Sequence, residues 1–413
     1  MGALKIVLAV LCLQLAYSRK FYVSHKHGKP IVSETDPIGP IVAFAEFKDH
    51  IDEVGWSFLT VKTNSSFTDV EQADAAGIAE GFSTALRIKQ SWTNTMAGYC
   101  KTPSTFCINL KDYIKTNMEW MQSMIETHQL DPYWHHVRLI LHQIEGIYNG
   151  FSIVYPGVMT EMDFWIMNSS GDLEDLESAL AGMDSNNMEP RVRKHSHMLG
   201  TGSCSAIIKL LPGNKDLFTS HITWNGYQSM IRIVKNYIFP FKTAGGADDT
   251  IPGHRQVFTS YPGYIASGDD YTLLSSGLLT QETTIGNSND TLWQYVNPKG
   301  QVLEFIRSSI ANRLGHCGMS WSRVFKQYNS GTYNNQWMII DYNLFTPGAP
   351  LKNNTLWILE QIPGFVVAED QTDVLRAQQY WPSYNTPSYP FIFNMSGDQV
   401  SGIFSTSEVI LIN

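Results

Sequence analysis

Apolar residues recur at helical spacing through the first third of the chain. In residues 70–96, alanine and phenylalanine recur every three or four positions, and in residues 110–127 the leucine, isoleucine and methionine residues fall on one face. Pro132 precedes a third segment of this kind, residues 133–148, and proline suits the first turn of a helix. These patterns predict three successive helices in one outer layer, and the small residues of the first helix predict close helix packing.

Further along the chain, short apolar runs rich in β-branched residues are separated by turn residues. We predict a first strand pair at residues 40–46 and 56–62, and later strands at residues 253–264, 271–280, 337–342, 355–359 and 365–368. Shorter helices are predicted at residues 171–181, 225–236 and 303–314. Helices first and mostly strands afterwards are typical of sheets covered by helices, which predicts an α+β fold.

A hairpin is predicted at residues 205–224, with its turn at Pro212-Gly-Asn214 between two apolar strands. If Leu211 pairs with Leu217, Cys204 faces Trp224 directly, and His221 lies on the other face of the hairpin. The polar segment Gly-Thr-Gly-Ser at residues 200–203 leads the chain to Cys204.

Cys204, at the start of this hairpin, has two interpretations. Most free cysteines are small buried hydrophobic residues. Alternatively, the chain cuts itself before Cys204, and the freed α-amine becomes the base for the thiol. An α-amine titrates near ~7.7–8.0 and can therefore accept a proton near neutrality, so nucleophile and base can sit on one residue.

Longer runs around and after Cys204 favour the second interpretation. These runs are Cys204-Ser-Ala-Ile-Ile-Lys-Leu-Leu-Pro-Gly213, Ser220-His-Ile-Thr-Trp224, Met230-Ile-Arg-Ile-Val-Lys-Asn-Tyr237, Tyr328-Asn-Ser-Gly-Thr-Tyr-Asn-Asn-Gln-Trp337 and Leu359-Glu-Gln-Ile-Pro-Gly364. From about residue 40 to residue 397 the chain resembles the phospholipase B-like family of lysosomal or secreted glycoproteins. The resemblance implies an N-terminal nucleophile hydrolase fold, in which two stacked antiparallel sheets lie between helical layers in a four-layer αββα sandwich.

The resemblance also implies which residues act. Self-cleavage is expected between Ser203 and Cys204, which makes Cys204 the nucleophile. The remaining residues carried over from the family are His221 and Trp224, which line the site, and Asn334 and Asn335, of which one faces the site as an amide donor to an oxyanion. As alternatives, His221 is a structural histidine and the asparagines are turn residues.

Maturation would divide the chain into fragments that form one domain. Residues 19–203 form the N-terminal fragment, and residues 204–413 form the catalytic C-terminal fragment. Residues 182–197 are polar and interrupted by proline, as in a linker that lumenal proteases trim or in an ordinary surface loop.

The N-terminus and the composition indicate export. Residues 1–18 combine Lys5, an apolar stretch and the small-residue site Ala16-Tyr-Ser18, which predicts a secretory signal peptide and a lysosomal or extracellular protein. No other window reaches the ~18 apolar residues of a transmembrane helix. The net charge of -9 argues against a nucleic-acid surface, and 43% hydrophobic content suffices for a large core.

Sequons and cysteines agree with an oxidising lumen. N-glycosylation is predicted at Asn64, Asn168, Asn289, Asn353 and Asn394. Cys100 and Cys107 flank a short loop and are expected to form a disulfide, although two free thiols remain the alternative. No cysteine or histidine spacing resembles a metal site, and His135, His136 and His142 are interpreted as surface or capping residues of a helix.

We therefore expect a hydrolase that cleaves acyl ester or amide bonds of lipid-like substrates without a cofactor. An amidase for N-acyl compounds, a papain-like thiol protease and a non-catalytic lysosomal glycoprotein remain alternatives. A papain-like nucleophile would start a helix, whereas Cys204 is predicted to start a strand. After Gly397 the chain departs from the family pattern, which continues with Arg-Gly-Asp-Leu-Asn-like and Ser-His-Gly-Gly-like motifs. A C-terminal truncation is therefore expected, and it would expose a sheet edge.

Overall fold

The computed structural model describes residues 18–26, 29–35, 37, 39–102, 104–181 and 203–397. The predicted signal peptide, apart from residue 18, lies outside the described residues. So do residues 182–202, which precede the predicted cleavage point, and the divergent residues 398–413.

Strands and helices are distributed along the described chain as follows. The strands are β1 Arg19–Lys26, β2 Lys29–Ser33, β3 Ile41–His50, β4 Trp56–Thr63, β5 Ser203–Leu210, β6 Leu217–Trp224, β7 Arg232–Ile238, β8 Arg255–Ser260, β9 Tyr271–Leu274, β10 Leu278–Thr284, β11 Asn335–Asp341, β12 Leu356–Ile362, β13 Phe365–Asp370 and β14 Tyr380–Ser383. The main helices are α1 Asp69–Ser83, α2 Ala85–Thr95, α3 Thr105–Thr127, α4 Pro132–Val154, α5 Glu161–Asn168, α6 Ser170–Ala181, α7 Glu304–Leu314, α8 Gly318–Phe325, α9 Thr372–Gln378 and α10 Pro390–Ser396.

Two sheets organise these elements. The large sheet has eleven strands in the order β13-β12-β11-β10-β9-β8-β7-β4-β3-β1-β2, and the small sheet has the order β14-β5-β6. Every pairing is antiparallel except the contact of β4 with β7, which is parallel. The expectation of wholly antiparallel sheets is therefore wrong at this one contact. It arises because six helices and the β5–β6 hairpin lie between β4 and β7 in the described chain, so the chain can return in the same direction.

Strand β11 shows how the layers stack, because its side chains alternate between two cores. Trp337 and Ile339 pack with residues of α7 and α8, whereas Met338 and Ile340 pack against the small sheet. The small sheet therefore covers one face of the large sheet at the β10–β13 end, and helices cover the other face.

The outer face of the small sheet carries large apolar side chains that are more than two-fifths exposed, including Ile207, Phe218, Ile222 and Trp224. Among the described residues, no helix covers this outer face.

The two sheets and the helices packed against them confirm the mixed α+β class.

Two predicted helices need correction. Residues 70–96 form two helices rather than one, because the backbone turns at Thr84, whose hydroxyl donates a hydrogen bond back to the Glu80 carbonyl at 2.7 Å. Residues 225–236 contain a single 3-10 turn, Tyr227–Ser229, and residues 232–236 belong to β7. Buried and half-buried positions alternate along β7 with a period of two, which fits a strand between two others.

Helices α1 and α4 pack unusually closely, as the small residues of α1 predicted. A Cβ added to Gly77 or Gly81 would lie 2.2 or 2.0 Å from a backbone carbonyl oxygen of α4. The same holds in reverse for Gly146 and Gly150, at 2.4 and 2.3 Å from carbonyl oxygens of α1. This contact fixes α4 over the layer formed by α1 and the sheet.

The interpretation of two histidines of α4 as surface residues is wrong. His135 is 8% exposed and its Nε2 lies 2.8 Å from Asp69 Oδ2, and His136 is completely buried.

The predicted disulfide is present, and it joins Cys100 to Cys107 across a Cα separation of 5.4 Å. None of the helices in the described part of the chain has the length and hydrophobicity that crossing a membrane requires.

Candidate active site

The β5–β6 hairpin sets the geometry around Cys204, and its register differs from the prediction. Leu210 pairs with Leu217, and Cys204 pairs with Thr223 rather than with Trp224. The Leu211 amide donates to the Asp216 carbonyl at 2.9 Å, so the turn closes over four residues, 212–215. Gly213 has a positive φ of 71° in the 3-10 turn of residues 212–214, and this tight conformation shortens the loop by one residue.

This shift of one residue exchanges the faces of β6. Because directly paired side chains share a face, Thr223 lies beside Cys204, and His221, which pairs with Ala206, lies on the same side. Trp224 points to the outer face, where it is 58% exposed. The expectation that Trp224 faces Cys204 and that His221 lies on the far face is therefore wrong on both counts.

The Cys204 thiol is buried and neutral in the uncleaved chain. Burial raises its pKa to about 12, and the negative charges of Asp270 and Asp269 act in the same direction. A hydrogen bond from the Trp224 backbone N–H to the thiol opposes this shift. A thiol with so high a pKa needs a base close at hand before it can attack a carbonyl.

Asn385 contacts the backbone nitrogen of Cys204. The Cys204 N–H donates to Asn385 Oδ1 at 2.9 Å, and Asn385 Nδ2 donates to the Thr284 carbonyl at 2.6 Å. Since the Thr284 carbonyl can only accept, it fixes which end of the amide faces Cys204. Asn385 has a φ of 68°, a left-handed conformation that asparagine tolerates better than most residues.

His221 is held by two hydrogen bonds. Its Nε2 donates to the Glu282 carbonyl at 2.7 Å, because a carbonyl oxygen can only accept. Its Nδ1 then accepts from the Thr223 hydroxyl, 3.4 Å away. The ring is thus oriented beside the residue that pairs with Cys204, and both nitrogens are engaged with groups other than the thiol.

Buried carboxyls lie behind the thiol. Burial raises the pKa of Glu282 well above its ordinary value, and the nearby Asp270 raises it further. Glu282 therefore keeps its proton beside Asp270, whose carboxylate accepts a hydrogen bond from the Tyr333 hydroxyl. Asp270 and Tyr333 have left-handed backbones, with φ of 52° and 48°. Such conformations persist only where surrounding contacts enforce them.

The structure places the two candidate asparagines at the start of β11 without a contact to Cys204. Asn334 is committed elsewhere, because its Nδ2 donates to Asp175 Oδ2 and to the Gly331 carbonyl, each at 3.0 Å. Asn335 is fully buried, and neither polar atom of its side chain finds a hydrogen-bond partner among the described residues. Their role as oxyanion donors stays a prediction.

Sequence reasoning missed Asn385, Asp270 and Glu282. Asn385 lies in a Tyr-Asn-Thr-Pro stretch and Asp270 in a Gly-Asp-Asp stretch, both of which are typical of ordinary turns. Glu282 had the stronger signal, because a carboxylate inside an otherwise uncharged strand is unusual.

The predicted glycosylation sites differ in their surroundings. Asn64, Asn353 and Asn394 are exposed and Asn289 is half-buried. Asn168 is 4% exposed, and its amide group bonds to Phe164, Gly263 and Ile265 through backbone atoms. A glycan on Asn168 would require these contacts to break, so we expect this sequon to remain unmodified.

Comparison with known proteins adds the family. A phospholipase B family model matches residues 43–403. The chain is 46% identical over 366 residues to "Putative phospholipase B-like 2" of Bos taurus, covering 86% of this chain and 60% of the relative. The protein of the same name from Homo sapiens is 45% identical over 368 residues, which is 87% of this chain and 61% of the relative.

A more distant relative is "Phospholipase B-like protein B" of Dictyostelium discoideum, which is 38% identical over 385 residues and covers 92% of this chain and 65% of the relative. The chain thus spans about three-fifths of the length of the mammalian relatives that it matches. On the extent of the match and the level of identity, the chain belongs to the phospholipase B family.

Proposed function

We propose that this chain is a lumenal hydrolase that cleaves acyl ester or amide bonds of lipid-like substrates through Cys204 after self-cleavage between Ser203 and Cys204. The observation that carries the proposal is the 2.9 Å hydrogen bond from the Cys204 nitrogen to Asn385. The same nitrogen becomes an α-amine when the preceding peptide bond is cut, and Asn385 would hold it next to its own thiol. The names of the relatives support the lipid-like substrate class.

Maturation begins with attack of the Cys204 sulfur on the Ser203 carbonyl carbon. A C–S bond forms and the C–N bond breaks, and the proton of the thiol passes to the nitrogen that becomes the amine. Water then opens the thioester, which regenerates the thiol and leaves a carboxylate on Ser203. With the pKa of the thiol raised to about 12 in the uncut chain, attack on the adjacent Ser203 carbonyl depends on the high effective molarity within one chain, and attack on other carbonyls waits for the free amine to act as base.

Turnover repeats this chemistry on a substrate. The α-amine takes the proton of the Cys204 thiol as the sulfur attacks the substrate carbonyl, and the leaving alcohol or amine receives that proton. Water hydrolyses the resulting thioester and releases the fatty acid. The chemistry is the same for an ester and for an N-acyl amide, so the amidase remains within the proposal.

Three residues support Cys204 in this mechanism. Asn385 orients the amine, and His221 lies on the same face of the hairpin, held by Glu282 and Thr223. Trp224 contributes its backbone N–H to the thiol, while its indole is exposed on the outer face. The start of a strand at Cys204 distinguishes this arrangement from a papain-like protease, whose cysteine starts a helix.

The experiment compares Cys204→Ala, Cys204→Ser and Cys317→Ala in the exported protein. Cys204→Ala should abolish both self-cleavage and product release. Cys204→Ser should retain slow cleavage, because a hydroxyl held against the carbonyl benefits from high effective molarity, but it should lose most turnover. Cys317→Ala, at the other free cysteine of the described chain, should behave as the wild type. Product release by Cys204→Ala at the wild-type rate would exclude the mechanism.

A further inference from the structure

A cleft lies beside Cys204, between β6 and the large sheet. It has a volume of about 340 Å³ and is lined by hydroxyl groups, an imidazole, aromatic rings and one pair of opposite charges. Thr223, which pairs directly with Cys204, is part of its wall, and so is Asp269, whose charge acts on the Cys204 thiol. The cleft is therefore next to the nucleophile.

The charge pair is Arg232 and Asp269. The guanidinium of Arg232 forms an ion pair with the Asp269 carboxylate, and its central carbon lies 5.0 Å from the ring centres of both Trp56 and Tyr261. The side chains are only 15% and 6% exposed. The buried Nε of Arg232 has no hydrogen-bond partner among the described residues, so the guanidinium keeps a donor that is not used.

A buried ion pair contributes little to stability by itself, because removing two charges from water costs about as much as their attraction returns. Its place in the wall of a cleft gives it another use. A ligand with a single negative charge would be attracted by Arg232 but repelled by Asp269. A ligand with a single positive charge would be attracted by Asp269 but repelled by Arg232. A ligand that carries both charges a few atoms apart interacts favourably with both residues.

We propose that this cleft is a subsite for a zwitterionic head group, in which Arg232 binds the phosphate and Asp269 the ammonium. The Thr259 hydroxyl offers a further hydrogen bond to the phosphate, and the Tyr271 ring supplies an aromatic wall. With its charged ends held at Arg232 and Asp269, the head group directs the acyl chain toward Cys204, which leaves the scissile carbonyl beside the thiol. This inference rests on the proposed hydrolase function and adds the selectivity of its substrate site.

The test uses three substrates with one acyl chain and different head groups, namely phosphocholine, phosphoglycerol and plain glycerol. The cleaved wild type should show a kcat/KM for the phosphocholine compound at least about tenfold above the other two, the ratio that corresponds to one retained charge contact of roughly 1.4 kcal/mol. The three compounds share the acyl chain, and the phosphocholine compound alone carries both charges, so a preference reports the head group rather than the acyl chain.

Two variants decide whether Arg232 and Asp269 cause the preference. Arg232→Gln alone leaves a buried carboxylate unpaired and can impair folding, so the main variant is the double substitution Arg232→Gln with Asp269→Asn. It removes both charges and should bring the three kcat/KM values to within about twofold of one another. Lys209→Gln, which removes a half-buried cation from the outer face of the small sheet, is the matched control and should keep the wild-type preference.

A binding measurement separates this inference from the proposed function. Cys204→Ala protein should bind glycerophosphocholine in calorimetry, inorganic phosphate should bind at least about tenfold more weakly, and the double variant in the same background should bind neither. Binding that depends on the pair, together with a wild type that hydrolyses none of the three substrates, would sustain the subsite and refute the hydrolase. Hydrolysis that depends on Cys204 but ignores the head group, in wild type and double variant alike, would refute the subsite and leave the hydrolase standing.

Discussion

Replacing Asp172 with asparagine should weaken the dependence of folding stability on pH. Asp172 lies in α6 and is buried, where its Oδ1 accepts from the Thr332 hydroxyl at 2.5 Å and from the Glu304 amide at 3.1 Å. Burial outweighs these hydrogen bonds and raises the pKa of the carboxyl from 3.8 to about 6. Ionisation of Asp172 is thus harder in the folded than in the unfolded protein.

The sign and the size follow from this shift. The folded state holds the Asp172 proton more tightly than the unfolded state does. The stability that protonated Asp172 contributes is therefore fully present below pH 3.8, and it is lost as the pH rises to about 6. A shift of this size corresponds to roughly 3 kcal/mol at about 1.4 kcal/mol per pKa unit. An asparagine cannot ionise. When the pH is raised from 4 to 7, the free energy of unfolding of Asp172→Asn should therefore fall by roughly 2 to 3 kcal/mol less than that of the wild type.

Urea unfolding at pH 4 and pH 7 measures this difference. The substitution also leaves an amide donor where Asp172 Oδ2 has no hydrogen-bond partner among the described residues, at a cost of about 1–3 kcal/mol that is the same at both pH values. The change between the two pH values therefore reports the ionisation alone. Asp52→Asn, on an exposed one-turn helix, is the control. If Asp172→Asn loses as much free energy of unfolding as the wild type between these pH values, the reasoning is refuted.

Further predictions concern packing, buried charge and glycans. Gly81→Ala should lower the free energy of unfolding by about 2–3 kcal/mol, since the added Cβ meets a backbone carbonyl at 2.0 Å, whereas Gly98→Ala, with nothing within 4 Å, should change it little. Lys235→Met should cost about 3–5 kcal/mol in urea unfolding by leaving Glu80 buried without its 2.6 Å partner, and Glu80→Gln in the same protein should restore part of it. Glycosidase treatment should lower the apparent mass of Asn168→Gln and of the wild type by the same amount, because the buried Asn168 carries no glycan. A smaller mass loss in the variant than in the wild type would contradict the buried position.

The sequence predicted the helical layer and the strands β11 to β13, because these segments have strong periodicity and clear turn residues. Strand β1 was missed although its pattern was present, since Phe21 and Val23 alternate with polar residues and are buried. The helix prediction for the β7 segment is wrong because its run of isoleucine and valine is short and fits either a helix or a strand.

Two features of the site could not be predicted from the sequence. The hairpin register depends on a turn that closes over four residues rather than five, and the backbone of Gly213 decides this. The contact of Asn385 with Cys204 joins residues 181 positions apart and exists because β14 pairs with β5 and brings the next loop to the start of β5. Nothing in the local sequence of either residue encodes that pairing.

The first residue of the C-terminal fragment tests the central claim most directly. We expect N-terminal sequencing of the exported protein, held at acidic pH, to give Cys204 followed by Ser205, and Asn385→Ala to lower the yield of this fragment by about tenfold, as the loss of one hydrogen bond of about 1.4 kcal/mol implies. An exported protein that hydrolyses acyl substrates while its chain remains uncut at Cys204, or is cut only at some other position, would contradict the account.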